Sequence, residues 1–510
     1  MNLAFLLADD HAVTAVGAYG RRLSRFAQTR HIDALAAHGA TFENAFCTTS
    51  LCAPSRASFI TGRYAHRHGV IDLAQHGTLN QSNNPSLPKI LRAHGFRTSL
   101  FGKWHLHGKT WEAPQGFDHF AIMRGLGEYK DPEIFTNDFA PFKGRAVRGH
   151  SSAILADLAS AWLAANAAKR FALFVHFKGV HEPWQYPPHV AGLNAGVALP
   201  PPPTLHDDGP RGCVDCGEGV SLHRLAARLK CRPPCANVSA SPTMYGDGSR
   251  VRFDASGSWR TQTHQRVAAD YLKAGKAVDD AVGVVVGALD RHALTASTLI
   301  VYASDQGYFL GEHGWYDKRL AHEESQRLPL IVAHPSLVAA GARPRELALS
   351  IDVAPTILEL AGLGGAAQLK DMDGRSLAPL LRPAAGGGVP WPRKAVYYRY
   401  WRDPAMEKLR SKGKRRRATI AAHVALRSES LKLILYDGLL PGCAAAKRRG
   451  AARLERCVEL FDLAADPNES TNLASRRPRV VKEMLRELLR VMGEVGDALP
   501  PEASALIGKA

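Results

Sequence analysis

Five short apolar runs punctuate the first 370 residues: "LAFLL" (3–7), "RTSLF" (97–101), "FALFVHF" (171–177), "TLIVYAS" (298–304) and "LPLIVA" (328–333). Runs of this length, rich in β-branched and aromatic residues, read as buried strands. Between them the apolar spacing becomes helical and predicts helices over Ser152 to Ala168, His264 to Arg291 and Asp352 to Ala361. Such alternation argues for an α/β fold, a large, mostly parallel sheet covered by helices on both faces. Sites in sheets of this kind lie beyond the carboxyl ends of strands. Three of the runs end directly in polar clusters, "ADD", "KGVHEP" and "SDQG", which are therefore the candidate site segments.

The pattern breaks twice. Residues 196–262 carry "VALPPPPTL", many glycines and four clustered cysteines, with little periodicity and no core-sized apolar set, so they read as an insertion. A second break, "RPAAGGGVPWPRK" (Arg382 to Lys394), precedes "AVYYRYW", "HVALRS", "LKLILY" and "VELFDL", which look like antiparallel strands. They end in a helix over Pro478 to Val495, whose proline suits a first helical position. The expected division is a main domain over 1–385, with the 196–262 insertion, and a small C-terminal α+β domain over 386–510 built on an antiparallel sheet. No internal repeat is present.

A chain of 510 residues suits a large domain plus a smaller one, and 45% hydrophobic with 22% charged residues is a globular composition. No apolar run approaches the roughly 18 residues needed to cross a bilayer, so no transmembrane segment is expected. "MNLAFLLADD" lacks the basic leader and small-residue cleavage site of a signal peptide. The formal charge of +18 favours polyanionic partners: nucleic acid, anionic membrane, or sulfated and phosphorylated glycans. The densest basic run, Lys408 to Arg417, reads as a solvated loop. Cys213, Cys216, Cys231 and Cys235 would form a structural zinc site or two disulfides, and Cys443 with Cys457 would close a short loop. Asn80, Asn237 and Asn468 stand in glycosylation sequons that matter only in a secretory compartment.

Asp9 and Asp10 end the first run, and Asp305 with Gln306 end a later one. Adjacent carboxylates repel, and three of them with an amide form an all-oxygen set suited to a hard ion such as Ca²⁺ or Mg²⁺. Arg56, Lys103, His105, His181, His313 and Lys318 stand in short motifs around this set. Cations gathered near a divalent metal describe an anion pocket, and a tetrahedral oxyanion fits it. The helix expected to start after Pro54 would add its amino-terminal N–H groups to the same anion.

At this point the motifs carry a family resemblance. "CAPSRASFITGR" resembles the signature of type I, formylglycine-dependent sulfatases, "GFRTSLFGKWHLHG" their second signature, and "SDQGYFLGEHGWYDKR" and "DVAPTILELAG" later family blocks. The resemblance spans Ala8 to about Leu473 and implies an alkaline-phosphatase-like fold. It also implies that Cys52 is oxidised by a separate formylglycine-generating enzyme to Cα-formylglycine. One hydroxyl of its hydrate would take the sulfuryl group, and the other would be deprotonated to expel sulfate. Carried over by position, Asp9, Asp10, Asp305, Gln306 and the modified Cys52 would hold the cation, Ca²⁺ or Mg²⁺. Arg56 would stabilise the diol, Lys103 and Lys318 would hold sulfate oxygens, and His105 would act as base. His181 with Lys318 would protonate the leaving oxygen. His313 would lie near the pocket, and His423 at a substrate rim in the C-terminal sheet.

"HEPWQYPP" and "DQGYFLGEHGWYDKR" look like the glycan-directed, N-acetylglucosamine-6-sulfatase-like branch rather than enzymes for small aryl esters. A sulfated carbohydrate is then the expected partner, rather than nucleic acid, and a secretory, lysosomal or periplasmic location is expected from the resemblance. Two rivals remain: a phosphonate or phosphate monoester hydrolase of the same superfamily, and a non-catalytic glycan-binding protein in which Cys52 stays a thiol.

Overall fold

The computed structural model describes residues 1–73, 77–107, 112–138, 144–207, 258–365, 367–382, 390–401, 420–436 and 458–499. The clustered cysteines 213 to 235, Cys443, Cys457, Asn237 and the Lys408 to Arg417 run lie outside them.

In chain order the strands are β1 (Asn2–Ala8), β2 (Gly39–Thr41), β3 (Ala45–Phe46), β4 (Arg97–Lys103), β5 (His119–Met123), β6 (Glu133–Thr136), β7 (Arg145–Ala146), β8 (Phe171–His176), β9 (Thr298–Ser304), β10 (Phe309–Leu310), β11 (Tyr316–Asp317), β12 (Leu330–Ala333) and β13 (Ala348–Leu349). A C-terminal group follows: β14 (Ala395–Tyr400), β15 (His423–Ser428), β16 (Leu431–Tyr436) and β17 (Val458–Asp462). Nine strands form the main sheet in the order β2-β12-β9-β1-β8-β4-β5-β6-β7. The central five, β9-β1-β8-β4-β5, are parallel. Every residue of β1, β8 and β9 is buried, which accounts for their unbroken apolar sequence.

Not every predicted strand is parallel: "LPLIVA" becomes β12, antiparallel to β9. The connection from β9 to β12 carries no crossover helix. It turns at the carboxyl end of the sheet and returns from there, which forces the antiparallel direction.

Helices Arg30–Ala37, Ser151–Asn166 and Trp259–Arg291 cover one face, and Val285, Leu289, Leu155 and Ile32 join the core there. The last of these starts at Trp259, so the 196–262 insertion ends earlier than its composition suggests. On the other face pack the helix Cys52–Thr61, the helix Val353–Leu360 and the aromatic side of the C-terminal sheet, through Tyr398, Tyr400 and Phe461. That sheet is an antiparallel meander, β14-β15-β16-β17. Its far face holds the helix Pro478–Glu494 through Val481, Leu485 and Leu488. We propose that the chain divides near residue 385, because among the described strands β14 to β17 pair only with one another. No described helix is long and apolar enough to cross a membrane.

Candidate active site

The site lies where the carboxyl ends of β1, β9, β4 and β8 meet. Register places it: Ala8 pairs with Ser304, so Asp9 and Asp10 emerge beside Asp305. The Asp305 amide donates to Ala8 O at 3.1 Å, and the Asp10 amide donates to Asp305 Oδ1 at 3.1 Å. Asp10 holds a left-handed backbone, φ 62°, which turns its carboxyl back over the strand ends. Gly307 follows because the chain runs against backbone there; a Cβ would lie 2.1 Å from Glu324 O.

Opposite these carboxylates begins the helix Cys52–Thr61, buried at all ten positions. Pro54 is tolerated because first-turn residues need no intrahelical donor. Gly62 in left-handed conformation, φ 66°, ends the helix. Cys52 is therefore presented at a helix amino terminus, where N–H groups stabilise negative charge.

Three cations answer three carboxylates. Arg56, fully buried one turn into the helix, donates from Nε to Asp305 Oδ2 at 2.9 Å and from Nη1 to Lys103 O at 2.9 Å, and Nη2 lies 3.7 Å from Asp9 Oδ1. Lys103, the last residue of β4, bonds Asp9 Oδ2. The preceding Gly102, φ 101°, passes so close to β8 that a Cβ would lie 2.1 Å from His176 O. Lys318 follows the β10–β11 hairpin, which folds "GEHGWYDK" back over the site, and bonds both Asp10 oxygens at 2.7 and 2.5 Å. His181 Nε2 lies 3.8 Å from Asp10 Oδ2, and its Nδ1–H donates to Glu182 O at 2.7 Å.

Electrostatics follow from this crowding. Burial and the neighbouring Asp9 push Asp305 up to about 8. Burial raises Asp10 to about 6 against the pull of Lys318. Burial also raises Asp9, but Lys103 and Arg56 overcome it and hold that carboxyl well below the usual range. Burial drives the Cys52 thiol up to about 11 despite Lys103 and Lys318, so it is no thiolate at neutral pH. Burial, reinforced by Lys103 and Arg56, keeps His105 neutral, and burial with Lys318 does the same for His181.

A hard cation fits this donor set. Asp9 Oδ1 and Gln306 Oε1 are buried without hydrogen-bond partners, and Asp9, Asp10 and Cys52 each offer a ligand atom within 4.8 Å of the others. Gln306 Nε2 donates to Asp10 Oδ1 at 2.6 Å and lies 3.7 Å from Cys52 Sγ. An uncompensated pair of buried oxygens beside two carboxylates with raised pKa is a place where positive charge is missing.

Asp9, Asp10, Cys52, Arg56, Lys103, His181, Asp305, Gln306 and Lys318 are thus brought together, with His105 beside Lys103. Two expected residues are not. His313 is enclosed between Trp315 and His322, with ring centres 4.9 and 5.3 Å away. His423 lies against Tyr398, Tyr400 and Tyr436, with Nδ1 2.8 Å from Ala421 O. A histidine in such a motif supplies a buried ring as readily as a ligand, and both do so here. Sequence reading also passed over a supporting layer. Tyr271 bonds Asp10 O and receives the Ala12 amide, Ser55 Oγ donates to Asp305 O, and Lys178 lies beneath the 124–130 segment. Lys178 stands inside the "KGVHEP" cluster; the tyrosine and serine carry no signal of their own.

Carboxylates matched this closely to cations, at the carboxyl ends of a parallel sheet, place the protein among α/β enzymes that act on oxyanions. Comparison with known proteins narrows the class. The sulfatase family model matches residues 1–363, and a model described as N-sulphoglucosamine sulphohydrolase, C-terminal, matches 311–440. The chain belongs to the sulfatase family and has its alkaline-phosphatase-like fold. It is 30% identical over 524 residues to an N-acetylglucosamine-6-O-sulfatase of Bacteroides thetaiotaomicron, covering 97% of this chain and 86% of that protein. A solved structure of a protein in complex with its substrate D-glucosamine-2-N,6-O-disulfate superposes with a TM-score of 0.79 at 28% identity, over 98% of this chain and 99% of that one. A phosphonate monoester hydrolase of Agrobacterium radiobacter shares the fold, with a TM-score of 0.68 at 21% identity over 97% of this chain and 96% of that one.

Proposed function

We propose that this sulfatase hydrolyses sulfate esters on a sulfated, glucosamine-type glycan, using a formylglycine made from Cys52 and a divalent cation, Ca²⁺ or Mg²⁺. The observation that carries the reading is the floor itself: buried cations and carboxylates in matched number, with Asp9 Oδ1 and Gln306 Oε1 unpartnered beside Cys52. Asp9, Asp10, Asp305, Gln306 and the modified residue 52 would hold the cation, which would supply positive charge toward a sulfate and a hydroxyl. A formylglycine hydrate supplies two hydroxyls on one carbon, one to accept the sulfuryl group and one to be deprotonated as sulfate leaves.

The remaining work falls to side chains. Arg56, fixed by Asp305 and Lys103 O, directs its guanidinium at the carbon bearing those hydroxyls. Lys103 and Lys318, the two ammonium groups at the floor, would hold sulfate oxygens by charge-assisted hydrogen bonds. Neutral His105 takes the proton in the elimination half, and the Lys318 ammonium is the proton source for the departing sugar oxygen, with His181 beside it receiving and passing on that proton. A thiol raised to about 11 is a poor nucleophile, which supports modification of Cys52 by a formylglycine-generating enzyme over use of the thiol itself.

The test is the mass of the tryptic peptide His31 to Arg56 from protein made with that enzyme, followed by rates on sulfate and phosphate esters of one sugar alcohol. An aldehyde or hydrate at Cys52 with faster sulfate cleavage is expected. An unmodified thiol despite active converting enzyme refutes the nucleophile, and faster phosphate cleavage refutes the substrate class.

A further inference from the structure

Lys178 belongs to none of the three ion pairs of the floor. The segment after β8 is pinned to the site by its backbone: Phe177 N donates to Leu7 O at 2.8 Å, Asp9 N to Gly179 O at 2.8 Å and Val180 N to Asp9 O at 2.6 Å. From there the Lys178 side chain, 4% exposed, reaches Leu126 O at 3.2 Å and lies 5.0 Å over the Tyr129 ring. Tyr129 in turn donates to His181 O at 2.5 Å. Among the described residues no carboxylate pairs with Lys178. Its strongest charged neighbours are Lys103, Asp9, Cys52 and Asp10, and burial with Lys103 draws its pKa down to about 8.

A buried ammonium is costly unless an anion meets it, and one carbonyl with one ring face meets it only in part. Lys178 is anchored to the carbonyl of Leu126, in a residue that is 44% exposed, and its charge is felt by Lys103, Asp9, Cys52 and Asp10, so its ammonium stands beside the floor without being one of its paired cations. We propose that Lys178 binds a second anionic substituent on the sugar, a sulfate or carboxylate next to the ester under attack, and so makes the site prefer doubly charged sugars. This rests on the sulfated-glycan reading above and adds to it the residue that reads the neighbouring charge.

The test compares glucosamine-2-N,6-O-disulfate with N-acetylglucosamine-6-sulfate. Calorimetric binding to a Cys52→Ser background, which does not turn over, is measured for Lys178, Lys178→Gln and Lys178→Arg, with melting curves to establish folding. Lys178→Gln should weaken the disulfate about tenfold, the worth of one hydrogen bond to a charged group, and change the monosulfate less than twofold. Lys178→Arg should keep the preference. Equal loss on both sugars, no loss, or no preference in the Lys178 protein overturns the proposal, the last of these without needing any variant. Turnover by formylglycine-bearing protein separates the two readings. Binding preference without hydrolysis refutes the sulfatase reading alone, whereas hydrolysis of both sugars without a Lys178-dependent preference refutes this one alone.

Discussion

Removing the cation should leave a proton signature, because Asp305 and Asp10 stay partly protonated in its absence. With carboxyls at about 8 and about 6, the two together carry roughly one proton at pH 7, roughly 1.8 at pH 5.5 and roughly 0.1 at pH 9. A cation that needs both ionised must displace those protons. Ca²⁺ titrated into chelator-treated protein in two buffers of different ionisation heat should therefore release about one proton at pH 7 and almost none at pH 9. Stability changes in the same sense. Both groups are raised above the unfolded carboxyl value of about 4, so between about pH 4 and 8 the folded chain binds more protons than the unfolded. Their contribution to stability is then fully present below that window and is lost as pH rises through it. Saturating Ca²⁺ should flatten this part of the slope. Proton release that is zero at pH 7, or unchanged at pH 9, would refute these residues as the ligands.

Four further outcomes follow from named contacts. Arg56→Leu strands buried Asp305 and should cost about 3–5 kcal/mol in urea unfolding of the metal-free protein, the usual loss for breaking a buried pair. Lys432, buried between Glu323 and Glu469 at 2.9 and 2.8 Å, ties β16 to the main body, and Lys432→Met should cost a similar amount; a melting temperature equal to wild type would show the network to be idle. Unconverted protein should react with iodoacetamide at Cys52 far more slowly than a model thiol at pH 7.5, since burial holds the thiol near 11; modification at the model rate contradicts that. His181→Ala should slow a sugar sulfate about 10²–10⁴-fold but an aryl sulfate much less, because a good leaving group needs little acid help, and equal losses would remove His181 as the acid.

Much of this architecture is legible along the chain because its central strands are buried on both faces. "TLIVYAS" and "LKLILY" are continuous apolar runs, and they match β9 and β16 residue for residue. The last two strands at one end of the sheet, β6 and the edge strand β7, lack that signal, being short and partly or wholly exposed. The direction of β12 was illegible for another reason: it depends on the path of 305–329, not on the composition of "LPLIVA". In the site, the charged residues that end strands or follow Cys52 could be read, since such groups at strand ends need partners. What could not be read was enclosure. His313 and His423 stand in motifs as polar as that of His181, yet Trp315 and Tyr398 wall them in. Lys178, in a quoted cluster, gave no hint that its only described polar partner would be a carbonyl 52 residues away.

The pairing at the floor also explains how the site couples cation and anion. Lys103, Lys318 and Arg56 are each paired with a carboxylate, so an arriving sulfate would have to compete with Asp9, Asp10 and Asp305 for them. A divalent ion that engages the carboxylates draws that negative charge away. The same ammonium and guanidinium groups then face an anion without their original partners, in a cavity of low dielectric where charge-assisted hydrogen bonds are strong. The six buried side chains hold about one proton on Asp10 and Asp305 at pH 7; exchanging it for a divalent ion would make the site more positive by about one charge, and by linkage a bound sulfate would tighten the cation as much as the cation tightens the sulfate. The crowding that makes the floor costly to bury is thus what makes it responsive, and it favours a site that engages its oxyanion only when the metal is in place.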